Sequence, residues 1–177
     1  MSARAAWRLE TLGFDKVYRY VAGKVDWAAA GLKVEGELAG VPRVGEIARR
    51  DVPRCGLGDR VGDIRARLDG SQWDVCVVVN QQNVVLGMLR RKALESAEAD
   101  APAEDVMDPG PVTYRPDTLV EEAMHHMQGH GQEHPRRVER VLVTSADGEL
   151  IGVLFLKDAE NLASKQELAH SGAGAHG

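Results

Sequence analysis

The sequence predicts a mixed α/β (α+β) fold made of two β-α-β-β-α repeats behind a short helix-strand-helix segment. Two observations carry this prediction. One is a β-hairpin signal over residues 141–156, where two apolar, β-rich runs enclose an Asp147-Gly148 turn. The other is an internal repeat of that hairpin and of the helix before it, which covers most of the chain. Helical patterns follow both hairpins, so strands and helices alternate along the sequence.

The two copies of the repeat align at two different offsets along the sequence. The hairpin and its closing helix recur without a gap at about 65 residues, so that Gly87 aligns with Gly152. The helix before the hairpin recurs at about 59 residues, with Val61 on Val120. The difference is an extra segment in the second copy, residues 129–134, which separates the helix from the hairpin.

Length and composition indicate a globular chain with a sizeable core. The chain has 177 residues, is 44% hydrophobic and carries a net charge of −5. The acidic balance argues against nucleic acid and anionic membranes as partners, and no window reaches the roughly 20 apolar residues of a membrane span. We therefore expect a soluble, cytoplasmic protein. Cys55 and Cys76 are too few for a disulfide framework or a metal-binding quartet, and they predict buried, reduced thiols.

Two short linkers set the predicted domain boundaries. An N-terminal segment covers residues 1–36, the repeats cover 41–99 and 103–169, and a Gly/Ala-rich tail predicted to be disordered covers 170–177. The predicted elements before the repeats are a helix over 3–12, a strand over 16–21 and a helix over 26–30. Those of the first repeat are a helix over 44–49, an extended stretch over 52–57, a helix over 59–68, the hairpin over 75–89 and a helix from 91. Those of the second follow the same order: a helix over 104–107, an extended stretch over 112–114, a helix over 117–127, the hairpin and a helix over 157–169.

The N-terminal segment carries a recognisable set of residues. They are Ser2-Ala3-Arg4-Ala5-Ala6, Leu9-Glu10-Thr11-Leu12-Gly13-Phe14, Val17-Tyr18, Gly23, Trp27 and Ala30-Gly31-Leu32. These residues resemble those in the last third of a rhodanese domain, which is the sulfurtransferase fold. The resemblance implies a nucleophilic Cys in a loop just before the Ser that Ser2 matches, and neither cysteine of this chain holds that place. We expect either a remnant without sulfurtransferase activity or the end of a gene that starts further upstream.

The repeats carry a second resemblance. In the second copy Asp105-Val106-Met107 precedes Pro111-Val112-Thr113, and Pro116-Asp117-Thr118-Leu119-Val120 begins the helix. The two repeats together, over about residues 41–168, resemble a pair of cystathionine β-synthase (CBS) motifs, and the second copy is the closer match. The resemblance implies two repeats packed sheet to sheet about a pseudo-two-fold axis, with clefts for adenosine ligands such as AMP, ATP or S-adenosylmethionine. It also implies a homodimer and regulation of a fused or associated enzyme.

The resemblance points to one carboxylate above all. In nucleotide-binding members the second hairpin strand ends as Gly-apolar-apolar-Thr/Ser-x-x-Asp, where the Asp accepts hydrogen bonds from the ribose hydroxyls and the hydroxyl residue meets phosphate. The second copy keeps the Asp as Asp158 and has Phe155 in place of the hydroxyl residue. The first copy has Arg90 and Ala93 at these positions. The alternative role of Asp158 is that of a helix-start residue favoured by the helix dipole.

Five further residues are candidates for ligand contacts. Arg90, Arg136 and Arg137 could attract phosphate, and the alternative is that they are solvated surface arginines. Val112 and Thr113 match the segment whose backbone reads adenine in the CBS family, and the alternative is ordinary strand packing.

The histidines near the end of the second-copy helix are the one pattern that could suggest a metal site. They are His125, His126, His130 and His134. Gly129 and Gly131 interrupt the helical spacing that would bring them together, so a polar loop insertion is the preferred interpretation and no metal is predicted.

Three hypotheses follow. The leading one is a non-catalytic regulatory module that binds an adenine nucleotide and has no catalytic residues or resident cofactor. The first alternative is part of a sulfurtransferase whose catalytic part lies upstream. The second is a structural dimerisation module with dead clefts, favoured by Phe155 and Ala93.

Overall fold

The computed structural model describes residues 3–18, 23, 26–27, 30–33, 35–36, 40–130 and 137–173 of the chain. It has the mixed α/β fold that the sequence predicts. The elements of the first half are α1 (Ala3–Thr11), α2 (Val44–Ile47), β1 (Arg54–Cys55), α3 (Val61–Leu68), β2 (Val75–Val79), β3 (Val85–Arg90) and α4 (Arg91–Ser96). Those of the second half are α5 (Ala103–Val106), β4 (Asp108–Pro109), β5 (Thr113–Tyr114), α6 (Val120–His125), β6 (Arg140–Thr144), β7 (Leu150–Phe155) and α7 (Leu156–Ala173).

The strands form two sheets, in the orders β1-β2-β3-β4 and β5-β6-β7. In each sheet a short strand runs parallel to the first strand of a hairpin, and the hairpin itself is antiparallel. β4 belongs to the second repeat but pairs with β3 of the first. The same exchange occurs in the opposite direction: Arg49 of the first repeat forms a β-bridge with Val153 in β7 of the second. Each repeat therefore lends the short segment before its first strand to the hairpin of the other.

The two hairpin turns meet at the centre of this arrangement. Val84 and Glu149 align in the repeat, and they form a β-bridge with each other. Leu150 donates from its backbone N–H to the Asn83 carbonyl at 2.9 Å, and the equivalent bond in the other direction measures 3.0 Å. The repeats are thus related by a pseudo-two-fold axis that passes between the turns.

The core follows from the alternation of side chains along the hairpin strands. Leu142 and Val153 point to one face of the second sheet and share a buried cluster with first-repeat residues such as Trp73. Val141 and Leu154 point to the other face and pack in a second cluster with residues of α6. The face that carries Leu142 and Val153 is therefore the interface between the repeats, and we call it the shared face.

The described part of the N-terminal segment gives a limited test of its predicted elements. α1 ends at Thr11, and Gly13 follows with φ +92°, a value that glycine adopts without steric cost. Residues 16–18 of the predicted strand are not in a strand, and the rest of that prediction, 19–21, lies outside the described residues. Asp26 and Trp27 are helical.

The second repeat departs from the predicted bounds most clearly at the ends of two helices. The helix predicted to run to residue 127 ends at His125 and widens into a π-type turn over His126–His130, because Gly129 has φ +85° and cannot continue an α-helix. The last helix, α7, continues to Ala173, beyond the predicted end at 169, although Gly172 has low helix propensity. The start of the tail predicted as disordered is therefore helical, and residues 174–177 lie outside the described part.

Both cysteines are buried and unpaired by any disulfide. Two causes raise the pKa of Cys55 above its ordinary value. The larger is the hydrogen bond with the Cys76 thiol, and the smaller is burial. Among the described helices, none is both long enough and apolar enough to cross a bilayer.

Candidate functional site

Asp158 lies where the shared face opens to solvent. It is the third residue of α7, which follows β7 directly, and its side chain is 24% exposed. The carboxylate accepts two hydrogen bonds from the Arg49 guanidinium, from Nε to Oδ2 at 2.8 Å and from Nη2 to Oδ1 at 2.9 Å. Asp158, which the resemblance to CBS motifs predicts to bind ribose, is thus engaged in a bidentate ion pair with the other repeat.

The position of Arg49 is fixed by its backbone. It donates to the Val153 carbonyl at 2.8 Å and accepts from the Val153 N–H at 2.9 Å. Gly152 makes this approach feasible, because a Cβ atom there would lie 2.5 Å from the Arg49 carbonyl oxygen. The hydrogen bond from Arg49 to Asp158 raises the pKa of the guanidinium and so favours its charged form.

Phe155 lies beneath this ion pair. Its ring centroid is 4.8 Å from the Arg49 guanidinium carbon and 5.9 Å from that of Arg140, and both distances are in the range of cation–π contacts. The ring also packs against Trp73 of the first repeat, with 5.7 Å between centroids. Phe155, at the position where the resemblance to CBS motifs predicts a hydroxyl residue, is therefore part of the contact between the repeats.

A second ion pair completes the group. Arg140, whose side chain is 21% exposed, donates to Asp74 across the interface between the repeats. We call the whole group the Arg49 cluster, and its members are Arg49, Trp73, Asp74, Arg140, Phe155 and Asp158.

The chemistry of the Arg49 cluster is that of a polar ligand site without a nucleophile. A carboxylate accepts hydrogen bonds from a diol, guanidinium groups donate to phosphate or carboxylate oxygens, and an aromatic ring offers an apolar wall. The two cations and two carboxylates balance one another, so the cluster is neutral when nothing is bound.

The equivalent place in the first repeat has a different chemistry. Arg90 stands where Phe155 stands in the second, and its Nε is 3.3 Å from Asp108, which is the equivalent of Arg49. Both side chains are more than 60% exposed. Ala93 leaves this place without the carboxylate. The two clefts are thus unequal, and Asp158 has no counterpart in the first.

Val112 and Thr113 lie at the opposite edge of the second sheet from Arg49. Thr113 pairs with Leu142, Leu142 pairs with Val153, and Val153 bridges Arg49. Three strand spacings separate Thr113 from Arg49, which is about 14 Å. The structure therefore does not bring Val112 and Thr113 into contact with the Arg49 cluster, although all lie along one sheet.

The remaining predicted residues are outside the cluster. Arg137 is exposed and its Nη2 lies 3.4 Å from Glu160 Oε1 on α7. Arg136 lies outside the described residues.

A surface hollow of 390 Å³ lies elsewhere, on α6. It is lined by Leu119, Glu121, Glu122, Met124, His125, His126 and Gln128. It is separate from the Arg49 cluster and is formed by one helix and its terminal turn. Within the described residues, no group of three or more His, Cys, Asp or Glu side chains is placed to hold a metal ion.

Sequence analysis missed four members of the cluster, namely Arg49, Trp73, Asp74 and Arg140. A signal for Arg49 was present in the aligned glycines, Gly87 and Gly152, since glycine inside a strand marks a close approach of another backbone. No pattern in the sequence indicated the contact of Trp73 with Phe155.

Comparison with known proteins gives one family match. The sequence model of the CBS domain family matches residues 103–162, a range that includes Phe155 and Asp158. Among curated proteins, none matches the sequence.

Several solved structures share the fold. The cytosolic domain of the Mg²⁺ channel MgtE in complex with ATP has a TM-score of 0.60 and 20% identity, over 71% of this chain and 51% of that one. A putative acetoin utilization protein, AcuB, from Vibrio cholerae has a TM-score of 0.61 and 17% identity, over 74% and 96%. CBSX2, a CBS-pair protein from Arabidopsis thaliana, in complex with AMP has a TM-score of 0.60 and 19% identity, over 71% and 98%. The paired-repeat architecture predicted from the sequence is thereby confirmed, and the rhodanese-like origin of residues 1–36 stays a prediction.

Proposed function

We propose, from the CBS-pair fold of this chain, that it is a non-catalytic regulatory module which binds an adenine nucleotide beside Asp158. The candidates are AMP, ADP, ATP and S-adenosylmethionine. The observation that carries the proposal is the Asp158 carboxylate, held on a rigid helix start at the open edge of the shared face. The complexes of MgtE with ATP and of CBSX2 with AMP support this class of ligand.

In the proposed binding mode the ligand lies across the edge of the second sheet. The ribose hydroxyls donate to Asp158, and the adenine lies toward the backbone of Val112 and Thr113. An adenosine ligand must be extended to do both, because three strand spacings separate the two edges. Phe155 supplies the apolar wall under the sugar and leaves no hydroxyl for phosphate.

The biological setting is part of the same proposal. The chain would act in the cytoplasm as a homodimer, and a ligand that changes its conformation would change the activity of an associated enzyme. Arg90, Arg136 and Arg137 remain candidates for phosphate contacts, the first in the weaker cleft of the first repeat.

Isothermal titration with the four candidate ligands tests the proposal. We expect the wild type to bind at least one of them, and Asp158→Ala to weaken that binding about ten-fold or more, because each lost charge-assisted hydrogen bond contributes roughly 1.5–3 kcal/mol. Asp147→Asn is the matched control, since it removes one carboxylate from the exposed hairpin turn. Equal affinity in wild type and Asp158→Ala would leave Asp158 as a helix-start residue only.

A structural module with dead clefts is the second candidate. It is favoured by the ion pair that already occupies Asp158 and by the absence of a carboxylate at Ala93. It predicts a dimer by light scattering, no heat with any of the four ligands, and a melting temperature that none of them changes.

A further inference from the structure

The two buried cysteines lie side by side on neighbouring strands of the first sheet. β1 runs parallel to β2, and Cys55 pairs in register with Val78. Cys76 comes two residues before Val78, so its side chain lies on the same face of the sheet and diagonally next to Cys55. A hydrogen bond joins the two thiols. They are the only cysteines of the chain, and neither belongs to the Arg49 cluster.

Arg67 on α3 supplies a positive charge beside this pair. It donates from Nη2 to Asp59 Oδ2 at 2.9 Å and from Nη1 to the Arg54 carbonyl of β1 at 3.2 Å. The hydrogen bond from the Cys55 thiol is the largest cause that lowers the pKa of Cys76, and the Arg67 charge lowers it further, against the effect of burial. Cys76 is therefore the thiol that ionises first, and Cys55 is the donor that stabilises its thiolate.

The thiols are buried, but they lie at the edge of the sheet. Cys55 is 4% exposed and Cys76 is 1% exposed. β1 has only two residues and stands at the end of the strand order, so it can separate from β2 by a local opening. The ion pair of Arg67 and Asp59, whose guanidinium also holds the β1 backbone, has side chains 49% and 44% exposed and contributes little to stability. A small reagent can therefore reach the thiols without global unfolding.

A disulfide between these two residues requires a movement of β1. One strand spacing across and two residues along place the two Cα atoms about 8 Å apart in a flat sheet. Disulfides need Cα atoms within about 7 Å, so β1 must shift along β2 toward Cys76. A bond formed in this way is strained and readily reduced, which is typical of regulatory disulfides. The Val77 N–H, which donates to the Pro53 carbonyl next to β1 at 2.9 Å, reports on the shift.

We propose that Cys55 and Cys76 form a redox-modification site, in which Cys76 reacts with a hydroperoxide and Cys55 converts the product to a reversible disulfide that displaces β1. With hydrogen peroxide, the Cys76 thiolate attacks one oxygen, the O–O bond breaks, and hydroxide leaves and takes up a proton as water. The Cys55 sulfur then attacks the sulfur of the sulfenic acid on Cys76, the S–O bond breaks, and a second water leaves. The two thiols lose two electrons and two protons, and the peroxide is reduced to two waters.

The test treats the folded full-length chain with hydrogen peroxide and counts thiols by alkylation after unfolding, followed by mass spectrometry. Wild type should lose both thiols and two hydrogen atoms of mass as a monomer, and dithiothreitol should restore them. Cys55→Ser should stop at a sulfenic acid on Cys76 that dimedone traps, because no second thiol is left to displace it. Cys76→Ser, the matched control, should keep Cys55 reduced under the same treatment, because Cys55 is the donor of the pair and not its nucleophile.

Two measurements on wild type need no variant. The oxidation rate should stay constant in urea below the unfolding transition, since opening of a two-residue strand exposes little surface. The Val77 amide should exchange its hydrogen faster in the oxidised protein than in the reduced one.

Each contrary result overturns a stated part of the proposal. Retention of both thiols in wild type, equal reaction of the two serine variants, or a rate that rises with urea as steeply as global unfolding overturns the modification site. Unchanged exchange at Val77 overturns the displacement of β1. None of these results depends on nucleotide binding, so they leave the proposed function to its own test.

Discussion

Phe155 and Arg90 show how two equivalent positions have come to serve different purposes. The Phe155 ring lies between Trp73 and two guanidinium groups and packs against the main buried cluster. The Arg90 side chain is 63% exposed and forms a single ion pair with Asp108. Ion pairs at such exposure contribute little to stability, whereas an aromatic side chain packed between two repeats contributes much more.

This difference predicts the effects of one substitution made at both positions. Phe155→Thr, which introduces the hydroxyl that CBS motifs typically carry at this position, should lower the free energy of unfolding by about 2 kcal/mol because it removes ring contacts. Arg90→Thr should change it by less than about 0.5 kcal/mol, as expected for a surface site. Urea unfolding followed by circular dichroism measures both. Equal effects at the two positions would mean that the contact between Phe155 and Trp73 contributes little to stability.

Single residues were predictable from the sequence only where they carried a motif. Asp158 was a candidate because it ends a recognisable pattern on its own strand and helix. Its partner Arg49 lies 109 residues away and is brought to it by backbone pairing, whose trace in the sequence is a glycine, Gly152, and not the type of residue 49 itself. Val112 and Thr113 were grouped with Asp158 by resemblance, and their separation became visible only when the strand order was known.

At the scale of elements, the two repeats are joined through the short helices α2 and α5. The backbone N–H of Val44 in α2 donates to the Thr118 carbonyl at 2.9 Å, and that of Ala103 in α5 donates to the Asp59 carbonyl at 2.9 Å. These are equivalent bonds running in opposite directions across the axis. Each repeat's first helix therefore begins on the other repeat.

The hairpins and the helices that follow them were predicted closely, since their apolar alternation and turn residues are local signals. In the first hairpin Asn83 takes φ +60° where the second has Gly148 at +84°, so both turns use residues that tolerate the left-handed region. β4 was not predicted as a strand. Two residues have no period to detect, and this strand exists only because β3 of the other repeat lies beside it.

Gly152 offers a test of the crossing between repeats. A Cβ atom at this position would meet the Arg49 carbonyl oxygen at 2.5 Å and the carbonyl carbon at 3.0 Å, and neither backbone atom can move without breaking the bridge to Val153. We expect Gly152→Ala to destabilise the protein by about 2 kcal/mol, in the range of overpacking substitutions. Gly58→Ala is the control, because nothing lies within 4 Å of its added carbon.

Thermal denaturation of the two glycine variants tests whether the Arg49 segment is held against β7. A large loss of melting temperature in Gly152→Ala with little change in Gly58→Ala is the expected result. If both variants melt like the wild type, the segment around Arg49 is not held against β7 in solution, and the ion pair with Asp158 would lose its structural basis.

At the scale of the whole molecule, the repeats form one structure. One buried cluster contains Trp73 and Val75 of the first repeat together with Leu142 and Val153 of the second. The other contains Val44 of the first repeat among second-repeat residues. Removal of either repeat would expose the apolar side of the other and would take away an edge of its sheet. Pseudo-symmetry could be predicted from the sequence, but this mutual completion could not, since it depends on which short segment pairs with which hairpin.

Residues 41–173 should therefore unfold in a single transition. Trp73 is 5% exposed and contacts Phe155 across the interface, so its fluorescence reports on contact between the repeats. In a Trp7→Phe, Trp27→Phe variant it would be the sole tryptophan, and urea unfolding followed by its emission should coincide with unfolding followed by far-UV circular dichroism, as in a two-state domain. Fluorescence that changes at lower urea than the dichroism would mean that the interface opens before the repeats unfold. In that case each repeat holds its own hairpin and helices without the exchanged segments, and the Arg49 cluster would be lost while most of the secondary structure remained.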